Sequence, residues 1–573
     1  MYFYSEWARR ILSGELTDHQ AFYGLPGYAY LLAALYKLCG YNPFVPALLQ
    51  AVLDAGTAFL IYKISIRIFG GVSTRVAQTA GLLAAVGWAF FVPAQTYVVI
   101  LMPTALVVFV FWLVVWWIVC EDAPPRKLCA LTLGLLIGIT ATTIATILFL
   151  APLVLGAIVI KPAKTNHRIR ARIASVTLIL AGVLAGTAPC WAHNYFVAHD
   201  RVFLSAHSGI NFWIGNNPNA TGYPRFPPGL RASQAAMLQD SITAAESAAG
   251  HRLTRGEVSQ FWSAKARDYI RHDIAGWLRL LGIKLRNFWN AFQYDDLSIV
   301  TTLREQVVTF PGIYFGLVAA LALPAIVIAW RIAPLSRWIM AAIVLHLLAL
   351  LPVFTTERYR LPIVPGLLIF AAFGLVMLWQ NLASRHFAPA IAYTALFVGS
   401  AMFVSWPQRD PSLWALDTFN SGLQALDSGD ITQARRKLDL AYAYSPSNAE
   451  INFAEGNLQL AQSKRNAAKS YYFATLRLNP QHEGAYNNLG ILALQEKRWG
   501  LAAEFLDKAL EQDRRNAKTY YLLAEAHFNS GDFPKAATEI AQAMNLNPAQ
   551  ADFRNLSERL EQMKRTQQSP VEN

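Results

Sequence analysis

Residues 104–120 read TALVVFVFWLVVWWIVC, and residues 128–160 read LCALTLGLLIGITATTIATILFLAPLVLGAIVI, with no charged side chain in either run. An apolar run of about 17–25 residues is long enough to cross a bilayer. The first run fits one crossing and the second is nearly twice as long. Charge decides how to read the longer one. Arg126 and Lys127 precede it, and Lys161, Lys164, Arg168, Arg170 and Arg172 follow it. Basic residues stay on the cytoplasmic side, so both ends face that side, and the run holds two crossings, 128–143 and 145–160. Working outward, further apolar runs lie at roughly 46–62, 77–95, 101–119, 174–190, 307–330, 338–354, 361–380 and 388–405. That makes ten expected spans. Lys63, Arg67 and Arg75 follow the first of them, Arg331 and Arg337 separate the seventh and eighth, and Arg385 precedes the tenth. The alternate short connections are nearly free of Lys and Arg, apart from Glu357-Arg358-Tyr359-Arg360. The first segment, the long 191–303 stretch, that basic cluster and the C-terminal part are therefore expected outside the cytoplasm.

The 573 residues are 54% hydrophobic and 15% charged, against about 25% charged in soluble proteins. Residues 1–410 carry 31 Lys+Arg and 17 Asp+Glu, and residues 411–573 carry 18 and 19. A long basic apolar part is thus joined to a short neutral polar one. This excludes a fibrous, collagenous or disordered chain. It also argues against nucleic acid as a partner, because the basic excess sits in short loops between apolar runs. Cys39, Cys120, Cys129 and Cys190 lie in or beside apolar stretches without C-x-x-C spacing, so neither a disulfide framework nor a zinc site is implied.

The polar part repeats every 34 residues. Ala434, Ala468, Ala502 and Ala536 recur at that period, as do Gly422, Gly456, Gly490 and, changing type, Ala524. Pro446 and Pro480 continue to Arg514 and Pro548. Small residues let the two helices of a unit approach closely, and the proline ends the second helix. The pattern is that of the tetratricopeptide repeat. It predicts four units and a solvating cap helix at 549–566, AQADFRNLSERLEQMKRT. Tyr471, Tyr472, Tyr486, Asn487, Asn488, Tyr520 and Tyr521 fall on these helices, some as core and others as lining of a concave face. The fold expected is all-α: a polytopic membrane bundle of about ten spans with a C-terminal α-solenoid. The divisions are a first extracytoplasmic loop with juxtamembrane helices (1–45), bundle (46–190), an extracytoplasmic loop domain (191–303), bundle (304–405) and repeats (415–566).

Within the apolar part, YSEWARRILSG (4–14), FYGLPGYAYLLAALYKLCG (22–40) and ALLQAVLDAGTAFLIYKISIRIFG (47–70) follow in order. This order resembles the class C membrane glycosyltransferases related to protein O-mannosyltransferases and aminoarabinose transferases. That family's signature is Asp, three residues, Tyr, three residues, Ala, then a helix ending in Gly; Tyr4, Ala8 and Gly14 match its tail. Leu25-Pro26-Gly27-Tyr28 resembles its Pro-x-Tyr turn. SAHSGINFWIGNNPNATGYPRFPPG (205–229) is similar to the Gly-x-Asn…Gly-Asn-Asn…Gly loop of bacterial members with appended repeats, and ERYRLPIVPG (357–366) to their Arg-Tyr-Arg-x-Pro motif. The family's catalytic Asp would fall immediately before Met1, so an Asp codon and an apolar helix of about 20 residues are expected upstream. No catalytic residue is assigned within the chain. Gly24 and Leu25 stand where the family often has Glu or Lys, and His193 where it has a basic residue, so no metal or other cofactor is implied.

The resemblance implies transfer of a sugar from a polyprenyl-phosphate donor to an acceptor outside the cytoplasm, a protein or glycan held by the repeats. Such a donor needs a groove open to lipid, cations for its phosphate and a base for the acceptor hydroxyl. Arg358 and Arg360 are the expected phosphate ligands, since guanidinium groups match phosphate oxygens with paired hydrogen bonds. Tyr4, Asn211, Asn216, Asn217 and Tyr359 are the expected contacts to sugar or acceptor, with Gly209, Gly215 and Gly222 permitting tight turns. The sequon Asn219-Ala220-Thr221 is read as chance. Asp54, one turn from Gln50, is an ionisable candidate inside a span, with a structural hydrogen bond as the equal alternative. His346 reads as packed core, and Glu6, Glu15, Asp18 and His19 as solvated surface. Residues 253–290, with Trp262, Trp277 and Trp289 among basic residues, suit helices at a membrane interface. Two other readings stand beside this one: a catalytically incomplete membrane scaffold recruiting envelope partners through its repeats, and an O-antigen ligase or polymerase type protein.

Overall fold

A computed structural model describes residues 2–121, 125–161, 168–224, 234–294, 312–407, 411–514, 516–547 and 550–568. Lys164, the start of the seventh expected span, the 225–229 end of the glycine-rich loop and Pro548 lie outside them. Among the described residues the chain is helical and no strand forms; one isolated bridge joins Phe91 to Ile313. Two compact units are formed, one within residues 1–407 and one within 411–568.

Among the described residues of the first unit, five helices are long and apolar enough to cross a membrane: Phe44–Phe69, Ile169–Val197, Phe315–Ile332, Glu357–Ala383 and Phe387–Val404. Thr104–Cys120, Lys127–Ala141, Ala145–Ile160 and Ser336–Leu350 are apolar but shorter. Helix length therefore supports five crossings, and the count of ten is not carried by length alone. The expected single span at 77–95 is two helices, Thr74–Ala89 and Val92–Val99. Pro93 stands at the start of the second, where its missing N–H costs nothing. The break is held by Val92 N–H to Ile313 O (3.1 Å) and Ile313 N–H to Phe90 O (2.8 Å). The 128–160 run does break, at Thr142–Ile144, and Thr142 O accepts from Gly27 N–H at 2.9 Å.

Two glycine pairs set a close helix approach. Lys127–Ala141 carries Gly134 and Gly138, and Arg168–Ala192 carries Gly182 and Gly186. A Cβ on Gly134 would lie 2.2 Å from Ile179 O, and one on Gly182 2.5 Å from Leu131 O. Small residues four apart let apolar helices meet backbone to backbone, where lipid offers no hydrophobic drive. Gln50 provides the bundle's polar joint. Its amide donates to Val98 O (2.6 Å) and Ile100 O (3.0 Å), and its Oε1 accepts from Tyr28 hydroxyl at 2.6 Å. It so satisfies carbonyls left open where Val92–Val99 ends. Asp54, one turn on, accepts from Trp88 Nε1 at 3.1 Å.

Three of the basic residues that flank the apolar runs lie together at the end of the helix Thr104–Cys120. Lys161 donates to Ile118 O and Glu121 O and lies 5.7 Å from the Trp338 ring centre. Arg172 donates to Lys161 O at 2.6 Å, and Arg67 to Val119 O at 3.4 Å.

The second unit is four helix pairs, Pro411–Asp427 with Ile431–Tyr444, Ala449–Ala461 with Arg465–Leu478, Glu483–Gln495 with Trp499–Gln512, and Ala517–Ser530 with Phe533–Leu546, then Ala551–Gln568. The four periodic alanines are fully buried. Gly422, Gly456 and Gly490 face Leu438, Tyr472 and Leu506, each of which a Cβ would meet at 2.4–2.7 Å. The register also exposes an irregularity. Leu489 and Leu523 are core residues, but 34 residues before Leu489 stands Glu455, 1% exposed. Burial pushes its pKa up to about 7 and Asp439 adds to the rise, while the Gln459 side chain and Arg435 oppose it. The folded array holds a proton that the unfolded chain releases near its ordinary value of 4.5. This contribution is complete below about pH 4.5 and disappears as pH rises through about 7, a loss of up to about 3 kcal/mol at 1.36 kcal/mol per unit. Urea unfolding of the full chain, followed by helical circular dichroism, should give a lower midpoint for the repeats at pH 8 than at pH 5. Glu455→Leu should remove that difference. An unchanged difference in the variant would assign it to another group.

Candidate functional site

The three segments singled out in the sequence are brought together in the first unit. The 22–23 stretch pairs with the start of the glycine-rich loop: Ala206 N–H donates to Phe22 O (2.8 Å) and His207 N–H to Tyr23 O (3.0 Å). Asn194 pins both. Its Oδ1 accepts from Phe22 N–H at 2.9 Å, and its amide donates to Val202 O and Leu204 O. His193, beside it, stacks on Phe22 with ring centres 4.4 Å apart. Arg255 adds a tie from the loop domain, donating to Ala21 O and Asp18, each at 2.8 Å. His207 is half-buried against Tyr23, and its desolvation lowers its pKa to about 4, so the imidazole is neutral at pH 7.

The loop then meets the basic cluster. Asn216 is wholly buried. Its amide donates to Phe212 O (2.8 Å) and Pro352 O (2.6 Å), and its Oδ1 accepts from Trp277 Nε1 (3.0 Å) and Lys284 Nζ (3.1 Å). Lys284 also donates to Leu351 O at 2.9 Å, and burial pulls its pKa down to about 7. Asn217 donates to Trp213 O and Ile214 O and accepts from Asn219 N–H, a local Asx-type turn. A Cβ on Gly215 would lie 2.1 Å from Val353 O. Asn216 and Asn217 are thus spent inside the protein rather than offered to a sugar. Asn211 is half-buried on the helix Ser208–Gly215.

Arg358 and Arg360 do not act together. Arg360 is 2% exposed. Its guanidinium donates to Phe288 O (3.3 Å), Asn290 O (2.6 Å), Phe292 O (3.1 Å) and the Glu357 carboxylate, and sits 4.1 Å from the Phe315 ring centre. It ties the start of the Glu357–Ala383 helix to the end of the loop domain and has no face left for a phosphate. Arg358 is half-buried and points elsewhere. It approaches Met102 Sδ (3.6 Å) and Tyr359 hydroxyl (3.4 Å) and covers the Tyr359 ring at 4.8 Å. Burial raises the Tyr4 phenol above its ordinary pKa, while the Arg358 charge works against that rise and Tyr359 adds to it. Tyr4 packs edge-on to Tyr28, ring centres 5.3 Å apart. Arg358 and Tyr359 pair with each other, and Tyr4, more than 350 positions earlier in sequence, lies within electrostatic reach of both. His346 Nε2 lies 2.8 Å from Tyr359 O, so this core histidine supports the pair from beneath.

The carboxylates of the first segment are all in ion pairs: Glu6 with Arg9, Glu15 with Arg10, and Asp18 with Arg255. Among the described residues no group of three or more His, Cys, Asp or Glu is placed to hold a metal ion. The interfacial tryptophans expected at 253–290 turn inward. Trp262 is buried and donates to Ser241 O at 3.1 Å, and Trp277 donates to Asn216. Sequence reasoning missed the Trp277–Lys284–Asn216 hub. Trp277 and Lys284, seven apart on one helix, share a face, and that spacing was the available signal. In the repeats, Tyr472 is also core. It donates to Asn457 Oδ1 at 2.9 Å, which also accepts from Asn488 at 2.9 Å.

Two tetratricopeptide repeat families match the chain, at residues 453–517 and 493–560. The C-terminal unit is a tetratricopeptide repeat domain, a fold that generally mediates protein interactions. Solved structures similar to part of the chain include one from the functional characterisation of Pseudomonas aeruginosa pilF, at 20% identity over 28% of this chain and 72% of that one, TM-score 0.26. Another is MamA from residue 41 to its end, from Desulfovibrio magneticus RS-1, at 20% identity over 28% of this chain and all of that one, TM-score 0.24. MamA of AMB-1 is similar at 20% identity over 27% of this chain and 85% of that one, TM-score 0.25.

Proposed function

We propose that the protein is an integral-membrane glycosyltransferase that moves a sugar from a polyprenyl-phosphate carrier to an extracytoplasmic acceptor. The observation that supports the reading is the proximity of Tyr4 to the Arg358–Tyr359 pair. It links the first segment to the start of the most enclosed apolar helix, and the glycine-rich loop is bonded through Asn216 to Pro352 O, six residues before Arg358. Arg358 takes the donor phosphate there, held by tyrosine faces that also suit the lipid's first apolar units. Tyr4 and Tyr359 supply hydroxyls to the sugar or acceptor. Asn216, Asn217 and Arg360 position the walls. The bundle crosses a bacterial inner membrane with its Lys161, Arg67 and Arg172 end towards the cytoplasm. The repeat domain, following closely on the last apolar helix in sequence, binds a protein or glycan acceptor and raises its local concentration.

The test is transfer from a short-chain polyprenyl-phosphate sugar by the full-length protein in lipid vesicles. Arg358→Ala should lose about 1.5–3 kcal/mol of charge-assisted binding, a tenfold to more than hundredfold fall in donor use, with folding unchanged. Arg358→Lys should recover part of it, keeping charge but not the paired geometry. Undiminished transfer by Arg358→Ala would remove this arginine from the donor site. The pairing of every first-segment carboxylate with an arginine favours a second reading, a membrane scaffold whose repeats recruit envelope partners. Repeat-dependent partner capture without any transfer would select it.

A further inference from the structure

The helix Ile274–Trp289 has one face fixed and one face open. Its inner face carries Leu280, Lys284, Asn287 and Phe288, all buried, and is held by Lys284 to Asn216 and Leu351 O. Its outer face leaves Ile274, Leu278 and Leu285 exposed by 58%, 57% and 41%. These apolar residues run along the helix at spacings of four and seven, so they form one stripe. Arg271 and Arg279 are exposed beside it and Arg286 is half-buried. Of the two acids at this end, Asp268 lies on the preceding helix 3.3 Å from His272, and Asp273 turns its carboxylate to Gly276 N–H at 2.8 Å as an N-cap. An apolar stripe flanked by arginines is the pattern of a helix lying flat in a bilayer interface, where arginine stems cover apolar surface and their heads reach phosphate.

The far end of the helix fixes its level. Ala291 N–H donates to Val404 O (2.8 Å) and Asn290 to Trp406 O (2.7 Å), at the end of the apolar helix Phe387–Val404. That helix exposes Ile391 by 67%, Leu396 by 49% and Met402 by 70%. The stripe on Ile274–Trp289 therefore begins where a lipid-facing surface ends. We infer that Ile274–Trp289 is an interfacial helix seated in the headgroup region of an anionic bilayer, so that the loop domain rests on the membrane through Ile274, Leu278 and Leu285. This depends on the reading that the apolar helices cross a bilayer.

The experiment is spin-label accessibility in the full chain, with Cys39, Cys120, Cys129 and Cys190 replaced by alanine. Single labels go at Leu278→Cys, Leu285→Cys, Asp268→Cys and Leu396→Cys, in vesicles of phosphatidylethanolamine with phosphatidylglycerol. At Leu278 and Leu285 oxygen should relax the label more than a water-soluble nickel chelate does, with the reverse at Asp268. Leu396 should show the strongest preference for oxygen. Replacing phosphatidylglycerol by phosphatidylcholine should make both stripe positions shallower, and an unchanged depth would refute the anionic preference. Greater access of the nickel chelate at Leu278 and Leu285, with Leu396 still in lipid, would overturn the proposal alone. So would shielding of both positions from both reagents, which indicates a second copy or a protein partner. A water-exposed Leu396 would instead overturn the bilayer reading beneath it.

Discussion

Gly134→Leu together with Gly138→Leu should leave little or no folded protein in the membrane. The two helices of this pair meet with glycine Cα atoms against backbone carbonyls. A Cβ at Gly134 would stand 2.2 Å from Ile179 O, and one at Gly138 2.4 Å from Val183 O. A side-chain neighbour could rotate away, but a helix carbonyl moves only with its helix. Overpacking a core costs about 1–3 kcal/mol where side chains yield. Two rigid clashes on one interface exceed that range, against a total stability of about 5–15 kcal/mol. The control is Gly399→Leu, because a Cβ there meets nothing within 4 Å. It carries the same change of propensity and volume in another apolar helix. Detergent extracts analysed by size exclusion and thermal unfolding should show the double variant aggregated or absent and the control monodisperse. Equal behaviour of the two would mean that the helices do not pack at these glycines.

Arg360→Ala should destabilise the fold without being a donor-site lesion. The substitution leaves the Glu357 carboxylate buried and uncompensated and withdraws donors from Phe288 O, Asn290 O and Phe292 O. Removing one partner of a buried ion pair costs about 3–5 kcal/mol. Adding Glu357→Leu should recover part of this, since no orphaned charge then remains, while the three carbonyls stay unpaired. The contrast with Arg358→Ala is the informative result. One variant should unfold at lower temperature and keep its apparent donor affinity in the surviving fraction. The other should keep its unfolding temperature and lose affinity. If Arg360→Ala lost affinity with unchanged stability, the hydrogen-bonded geometry described for Arg360 would not be that of the working protein.

The opposite roles of these arginines were partly legible in the sequence. Residues two apart on a helix do not share a face, whereas residues three apart do. Glu357 and Arg360 have the spacing of a pair, and Arg358 and Arg360 the spacing of residues that diverge. Grouping Arg358 with Arg360 as one phosphate clamp followed the motif and overlooked that geometry. Ala434, Ala468, Ala502 and Ala536 gave the repeats directly, because a small-residue requirement at fixed period leaves few other readings. The break at Thr142–Ile144 followed from the charges flanking its run. The break at Phe90–Phe91 did not, since its cause is a hydrogen-bonded contact with Ile313, more than 200 residues away. Asn216 and Asn217 show the same limit. An amide beside a glycine looks alike in sequence whether it meets a ligand or a backbone carbonyl such as Pro352 O, and only tertiary packing decides.

The unequal lengths of the apolar helices have a consequence for the lipid around them. At about 1.5 Å per residue, Phe44–Phe69 is about 39 Å long, while Lys127–Ala141 and Ser336–Leu350 reach only about 22 Å, less than the roughly 30 Å thickness of a hydrocarbon layer. Such a bundle has a hydrophobic belt of uneven height. Where the short helices meet lipid, the bilayer must thin or its headgroups must sag inward, at a cost of fractions of a kcal/mol for each ångström of mismatch. On the proposed membrane reading, the bilayer is dented wherever these short helices meet it. Acyl-chain length becomes a variable in the protein's stability alongside any residue in its sequence.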